Sequence, residues 1–166
     1  MAIAESLLPE FDREMGLTRR VLERVPDGVF AWKPHEKSMT LGRLAEHLAE
    51  LPGWLKVAIV DSGIEMTTGR PEGYQSPATR AAVLEMFDKN AAEARGALAG
   101  RTDAEMMAPW TLKAQGKEVF TMPKAVVVRG FVMNHIIHHR GQMSVYLRLQ
   151  NVPVPSIYGP SADEAM

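Results

Sequence analysis

The chain has 166 residues, a formal net charge of −1 and no cysteine. Its length suits a single domain, the absence of cysteine excludes disulfides and thiolate ligands, and the near-neutral charge favours neither nucleic acid nor an anionic membrane as a partner. Because it shows no signal-peptide pattern and no apolar run near the ~18 residues of a membrane span, we expect a soluble, cytoplasmic protein.

The first half of the chain carries two helical patterns. Over residues 4–25, apolar side chains recur at steps of three and four, and a Val-Pro-Asp-Gly sequence then breaks the pattern. A second pattern begins after Thr40, a good N-cap, and continues to about residue 63. Pro52 lies inside this second pattern, so we expect a local kink there.

The second half predicts two more helices and a hairpin. Residues 64–76 are rich in glycine and polar side chains, which indicates a long loop. The third helix is expected to begin with Ser76 as N-cap and Pro77 at its first position. In residues 107–122, the segments WTLKA and KEVFTM flank Gln-Gly, a pattern typical of a short β-hairpin. The last helix is expected over about residues 123–150.

Together these elements predict an all-α fold. Four helices, with a long connection between the second and third and a short hairpin before the last, are typical of a four-helix bundle with a crossover. Because no linker or repeat divides the chain, we expect residues 1–166 to form one helical bundle domain.

The last predicted helix holds three of the five histidines, in the sequence NHIIHHRGQM. His135 and His139 are four residues apart, the spacing by which one helix face offers two imidazoles to a metal ion. His138 competes for the place beside His135. A pair with this spacing is weak evidence by itself, because a helix face with two partly exposed, hydrogen-bonded histidines is the more common explanation.

A further histidine strengthens the case for a metal. His47 comes three residues after Leu44 and four before Leu51, in or beside the inward seam of the second helix. An imidazole buried there without a partner costs about 1–3 kcal/mol. Three neutral nitrogens from two facing helices would make an open half-shell for zinc, nickel, copper or iron, but not for magnesium or calcium. The alternative is that all are core histidines with ordinary partners.

Several other side chains have two interpretations each. Glu46 and Glu50 either orient the neighbouring imidazole or serve as a general base, although a solvated helix face is favoured. Arg140 and Gln142 either contact a substrate or cap carbonyl groups of the tail. The tail segment 158–164 either folds over the site or, more simply, is a packing plug. Three tryptophans either line a pocket or fill the core: Trp32, Trp54 and Trp110.

Three segments carry a family resemblance: TLGRLAEHLAELPGW, NHIIHHRGQMSVYLRL and VPSIYGPSADE. Their order and spacing, over about residues 5–164, are similar to those of the DinB/YfiT-like metalloenzyme family. The resemblance implies a four-helix bundle and a metal site formed by His47, His135 and His139, and it leaves His138 outside the ligand set. Relatives include bacillithiol transferases and mycothiol-dependent maleylpyruvate isomerases, which implies a metal-activated, low-molecular-weight thiol.

Two functions remain open at this point. The first is a metal-dependent enzyme in which a three-histidine divalent metal, zinc or nickel before iron, activates a low-molecular-weight thiol for transfer to a small-molecule substrate, or activates water. The second is a non-enzymatic, metal-binding stress-response protein. The apolar bundle faces and the family resemblance predict a homodimer in either case.

Overall fold

The computed structural model describes residues 2–67 and 69–165 of the chain. Within them, four long helical segments form the body of the molecule. They are α1 (Ile3–Leu22), α2 (Leu41–Val60), α3 (Arg80–Leu98) and a last helix made of α5 (Lys124–Val126), a π-helical segment (Val127–Met133) and α6 (Asn134–Leu149). This arrangement confirms the predicted all-α bundle.

The helices pack in a ring. The second helix contacts α3 on one side and the last helix on the other, and α1 contacts the same two helices from the opposite corner. The apolar stripes of all four helices therefore meet in one core, which includes Phe11, Leu44, Leu48, Phe87 and Ile136. Because α2 and α6 are direct neighbours, inward-facing polar side chains on these two helices can meet.

The start of α2 follows the prediction. The Thr40 hydroxyl accepts a hydrogen bond from the backbone N–H of Arg43 at 3.1 Å, so this threonine is the N-cap. Pro52 lies inside α2, which runs without interruption from Leu41 to Val60. In the preceding turn, the amide of Asn90 on α3 donates to the carbonyl oxygen of Ala49 at 2.8 Å.

The hairpin formed by β2 (Pro109–Ala114) and β3 (Lys117–Pro123) turns at Gln115 and Gly116, both with positive φ. This turn agrees with the prediction from Gln-Gly. A third strand, β1 (Gly63–Met66), was not predicted, and it pairs in parallel with β2. Residues 64–76 were predicted as a loop because the hydrogen-bond partner of β1 lies far away along the chain. A Cβ atom at Gly63 would come within 2.3 Å of the carbonyl oxygen of Thr111, so the close approach of these strands requires glycine.

The predicted start of α3 was wrong by three residues. Thr79, rather than Ser76, is the N-cap, and its hydroxyl accepts from the backbone N–H of Ala82 at 3.2 Å. A short helix, α4 (Asp103–Met107), and the π-helical segment were also not predicted. In the described part of the chain, no helix has the length and apolar character that crossing a bilayer requires.

Candidate metal centre

Three imidazoles converge between α2 and α6. The Nε2 atom of His135 lies 3.2 Å from Nε2 of His47 and 2.8 Å from Nε2 of His139. One ring nitrogen from each histidine lies within 4.8 Å of the other two, a grouping that could hold a metal ion. His47 and His139 are buried and His135 is partly buried. The helices thus bring together the three residues that the sequence and the resemblance singled out.

The hydrogen bonding of His139 fixes which of its nitrogens faces the cluster. Its Nδ1 atom lies 2.7 Å from the side-chain oxygen of Gln142, one turn further along α6. Because an amide oxygen only accepts, the proton of a neutral imidazole is on Nδ1 and the lone pair is on Nε2. This lone pair points towards His135, as metal ligation would require.

The three imidazoles cannot fully satisfy one another's hydrogen-bonding capacity. The Nε2 atom of a neutral imidazole carries either one proton or one lone pair, yet the Nε2 atom of His135 has two imidazole neighbours at hydrogen-bond distance. A divalent cation would accept all three lone pairs at once. Ligands held tetrahedrally at about 2.0–2.1 Å from zinc lie roughly 3.3 Å apart, close to the separations seen here. The residues present therefore fit a transition-metal ion.

The environment favours neutral imidazoles. Burial, reinforced by the neighbouring His139 and His47, lowers the pKa of His135 to about 4. Burial also lowers the pKa of His139, and the hydrogen bond to Gln142 opposes this shift only in part. Neutral imidazole is the form that binds metals, so the cluster is ready to coordinate an ion at neutral pH.

Two carboxylates of α2 lie beside the cluster. Glu46 is only 1% exposed, and it accepts from the Tyr74 hydroxyl at 2.8 Å and pairs with Arg70 at 3.1 Å. Glu50 also pairs with Arg70, and one of its oxygens lies 3.7 Å from Nδ1 of His47. The favoured expectation of a solvated helix face was wrong, because the loop before α3 supplies a cation and a hydroxyl group that cover both carboxylates.

Glu50 is ionised at neutral pH. Burial raises its pKa, but the nearby His47 imidazole, the hydrogen bond with Arg70 and the positive charges of Arg43 and Arg70 outweigh this effect and hold the pKa at about 2. The pKa of Tyr74 is raised to about 12, first by burial and then by its hydrogen bond to Glu46. Glu50 is therefore a permanent anion next to the imidazole of His47.

Solvent reaches the centre through an open cleft of about 690 Å³. His47 and Glu50 contribute to one wall, and Trp54, Arg43 and Arg70 complete the part nearest to the imidazoles. A metal ion held by three histidines leaves at least one coordination position free, and of the three imidazoles it is His47 that lines the cleft.

The two remaining histidines and the tail lie outside the cluster. His35 and His138 are both exposed, and neither belongs to the group of converging imidazoles. In the tail, Asp163 pairs with Arg148, and Glu164 pairs with Arg20 on α1. The tail is thus tied to the outside of the bundle, in agreement with its interpretation as a packing plug.

With the fold and the site in place, comparison with known proteins identifies the family. The sequence matches the model of the DinB family over residues 1–166. The chain belongs to the DinB family, as the resemblance in its histidine and tail motifs implied.

Individual relatives agree with this assignment. The chain is 26% identical to the uncharacterized protein YrdA of Bacillus subtilis (strain 168) over 162 residues, which is 96% of this chain and 90% of that protein. A crystal structure of a DinB-like protein from Bacillus cereus ATCC 10987 matches with a TM-score of 0.72 and 23% identity, over 93% of this chain and 97% of that one. The DinB-like protein YjoA of B. subtilis matches with a TM-score of 0.67 and 16% identity, over 89% and 96%. These two structures support the fold alone.

Proposed function

We propose that the protein is a metal-dependent enzyme whose divalent ion, zinc or nickel, is held by His47, His135 and His139. When bound, such an ion supplies a Lewis acid that lowers the pKa of a coordinated thiol or water. The proposed reaction class is S-transfer from a low-molecular-weight thiol to a small electrophile, with hydrolysis by an activated water as the second reaction of the same site.

The observation that carries this proposal is the convergence of three imidazole nitrogens from two helices, one of which belongs to His47 in the wall of an open cleft. A closed site of four protein ligands would indicate a structural ion, whereas three ligands and solvent access are typical of catalytic sites. The cysteine-free chain has no thiol of its own, so a thiol in the reaction would come from a cosubstrate.

The surrounding residues have separate tasks in this proposal. Gln142 holds the Nδ1 proton of His139, which keeps its Nε2 lone pair directed at the ion. Glu50, an anion beside His47, favours the orientation in which the Nδ1–H of His47 faces the carboxylate. Arg43 and Arg70 line the cleft, where positive charge favours anionic groups of a cosubstrate.

Metal analysis tests the centre directly. The protein is purified without a metal-affinity column, loaded with zinc, dialysed and analysed by mass spectrometry. We expect about one ion per chain. In His47→Ala we expect the zinc affinity to fall about 100-fold or more, because removing one of three ligands weakens binding more than removing a residue that only orients a ligand. Circular dichroism shows whether the variant remains folded.

A matched control separates ligation from the mere presence of histidine. His138→Ala removes an exposed imidazole from α6, the helix that carries His135 and His139, and should leave zinc binding unchanged. Equal zinc binding by wild type and His47→Ala would exclude the three-histidine centre. With the centre established, an assay of the zinc protein with a panel of low-molecular-weight thiols and electrophiles tests the chemistry. Metal binding without thiol transfer or hydrolysis would favour the non-enzymatic alternative.

A further inference from the structure

A buried hydrogen-bond donor near the metal centre has no acceptor. Trp110 on β2 is only 2% exposed. Its indole Nε1–H is the one buried side-chain nitrogen or oxygen in residues 2–67 and 69–165 that lacks a hydrogen-bond partner. Such a group costs about 1–3 kcal/mol of stability, so its presence in a folded protein calls for a physical reason.

Trp110 lines a small apolar cavity. The volume of this cavity is about 10 Å³, and its other walls include Trp54, Ile64, Phe131 and Val132. A water molecule is held well only where it finds two to four polar partners, and the side chains that line this cavity are apolar apart from the indole N–H groups of Trp110 and Trp54. The cavity is therefore better suited to the tip of an organic molecule that has a single acceptor atom in an apolar setting.

The cavity lies against the histidine cluster. The ring centroids of Trp54 and Phe131 lie 6.2 Å and 6.0 Å from that of His135. Phe131 and Val132 belong to the π-helical segment, a rare conformation that occurs frequently at functional sites. Trp54 also lines the open cleft, so this residue borders both the cleft and the cavity.

We propose that this cavity is the inner end of a substrate subsite for an apolar organic molecule bearing a carbonyl-type oxygen. The oxygen accepts the hydrogen bond of Trp110, and the apolar body lies against Trp54 and Phe131, next to His135. Entry from the cleft requires a displacement of the Trp54 side chain. This inference names the substrate class of the proposed enzyme. It rests on the proposed function only for the reaction that follows binding, because binding to the subsite does not itself require the metal.

A matched pair of probes tests the subsite. Acetophenone and ethylbenzene have similar shapes, but only the ketone offers an acceptor. Each is titrated into the full-length, zinc-loaded protein while the tryptophan indole N–H signals are followed by nitrogen-15 NMR. We expect acetophenone to shift the Trp110 signal and to bind about tenfold more tightly than ethylbenzene, since the ketone alone satisfies the buried donor.

Two variants assign the effect. Trp110→Phe keeps an aromatic ring but removes the N–H, so the preference for acetophenone should fall to about one. Trp32→Phe is the control, because Trp32 packs against Tyr146 and does not line this cavity, and it should retain the preference. Equal binding of both probes by wild type, or an unmoved Trp110 signal, would overturn the subsite, and this result does not depend on whether either variant folds.

The result is separable from that of the metal experiment. The titration is repeated after zinc is removed with a chelator, and the preference for acetophenone should persist. If zinc binds but acetophenone is not preferred, the subsite is wrong and the metal centre stands. If acetophenone is preferred but zinc does not bind, the subsite stands and the proposed enzymatic function is wrong.

Discussion

Two consecutive residues of α6 take part in two very different polar clusters. His139 faces α2 and joins His47 and His135, whereas Arg140, about 100° further round the helix, faces α1 and the tail. Arg140 is only 1% exposed, and its guanidinium pairs with Glu14 at 2.7 Å.

The arginine cluster is complete within the chain. Besides the ion pair, Arg140 donates to the backbone carbonyl oxygen of Glu14 at 3.1 Å and to the Thr18 hydroxyl at 3.2 Å. The Tyr158 hydroxyl donates to Glu14 at 2.7 Å, which ties the tail to the same carboxylate. One positive charge thus meets one negative charge, and the remaining donors have acceptors.

The histidine cluster, in contrast, is left incomplete. It gathers three imidazole nitrogens that cannot all pair with one another, and His47 lines an open cleft. The comparison contrasts a buried polar cluster that balances its own charges and hydrogen bonds with one that does not and that fits an external ion.

The largest expected effect is the loss of stability when the arginine cluster is broken. Arg140→Leu leaves Glu14 buried without its cation, which should lower the free energy of unfolding by about 3–5 kcal/mol. Urea denaturation measures the change. Arg95→Ala is the control, because the pair of Arg95 with Asp12 is exposed and should contribute at most about 1 kcal/mol. Equal effects of the two substitutions would show that Arg140 is not the structural centre described here.

A smaller effect is expected from the residue that orients His139. Gln142→Met removes the acceptor of the Nδ1 proton and should weaken zinc binding about tenfold, measured by competition with a chelator. Stability should hardly change, because Gln142 is otherwise exposed. Gln142→Glu restores an acceptor and should recover wild-type affinity. Unchanged zinc affinity in Gln142→Met would mean that α6 alone sets the orientation of His139.

The smallest expected effect concerns how the free energy of unfolding depends on pH, through the histidine cluster. The pKa of His135 in the fold, about 4, lies below the usual value of about 6.5 in an unfolded chain, so the unfolded state binds more protons between these pH values. When a chelator keeps the protein free of metal, the contribution of His135 to the free energy of unfolding is fully present above pH 6.5 and is lost as the pH falls to 4. Because solvent screens this partly open site, the loss should be on the order of 1 kcal/mol.

His135→Gln provides the comparison for this pH dependence. Its free energy of unfolding should fall less than that of wild type between pH 6.5 and 4, because the lowered pKa of His135 is then absent while that of His139 remains. Identical pH profiles of the two proteins would show that the neutral state of His135 does not contribute to stability.

Local sequence signals predicted much of the fold. The helix pattern after Thr40, the Gln-Gly turn of the hairpin and the extent of the last helix depend on residues that are neighbours in the chain. Strand β1 and the start of α3 were missed because they depend on distant partners: β1 bonds to β2, and the N–H of Arg80 donates to Asp27.

The histidine spacing and the family resemblance were sufficient to select His47, His135 and His139, because helical periodicity determines which side chains share a face. Only the tertiary structure decided that their nitrogens come within a few ångströms of each other, that Glu46 is buried beneath Arg70 and Tyr74, and that Trp110 keeps an unpaired donor. Each of these depends on how separate helices, strands and loops pack, and the packing of distant segments cannot be derived from the spacing of residues within any one of them.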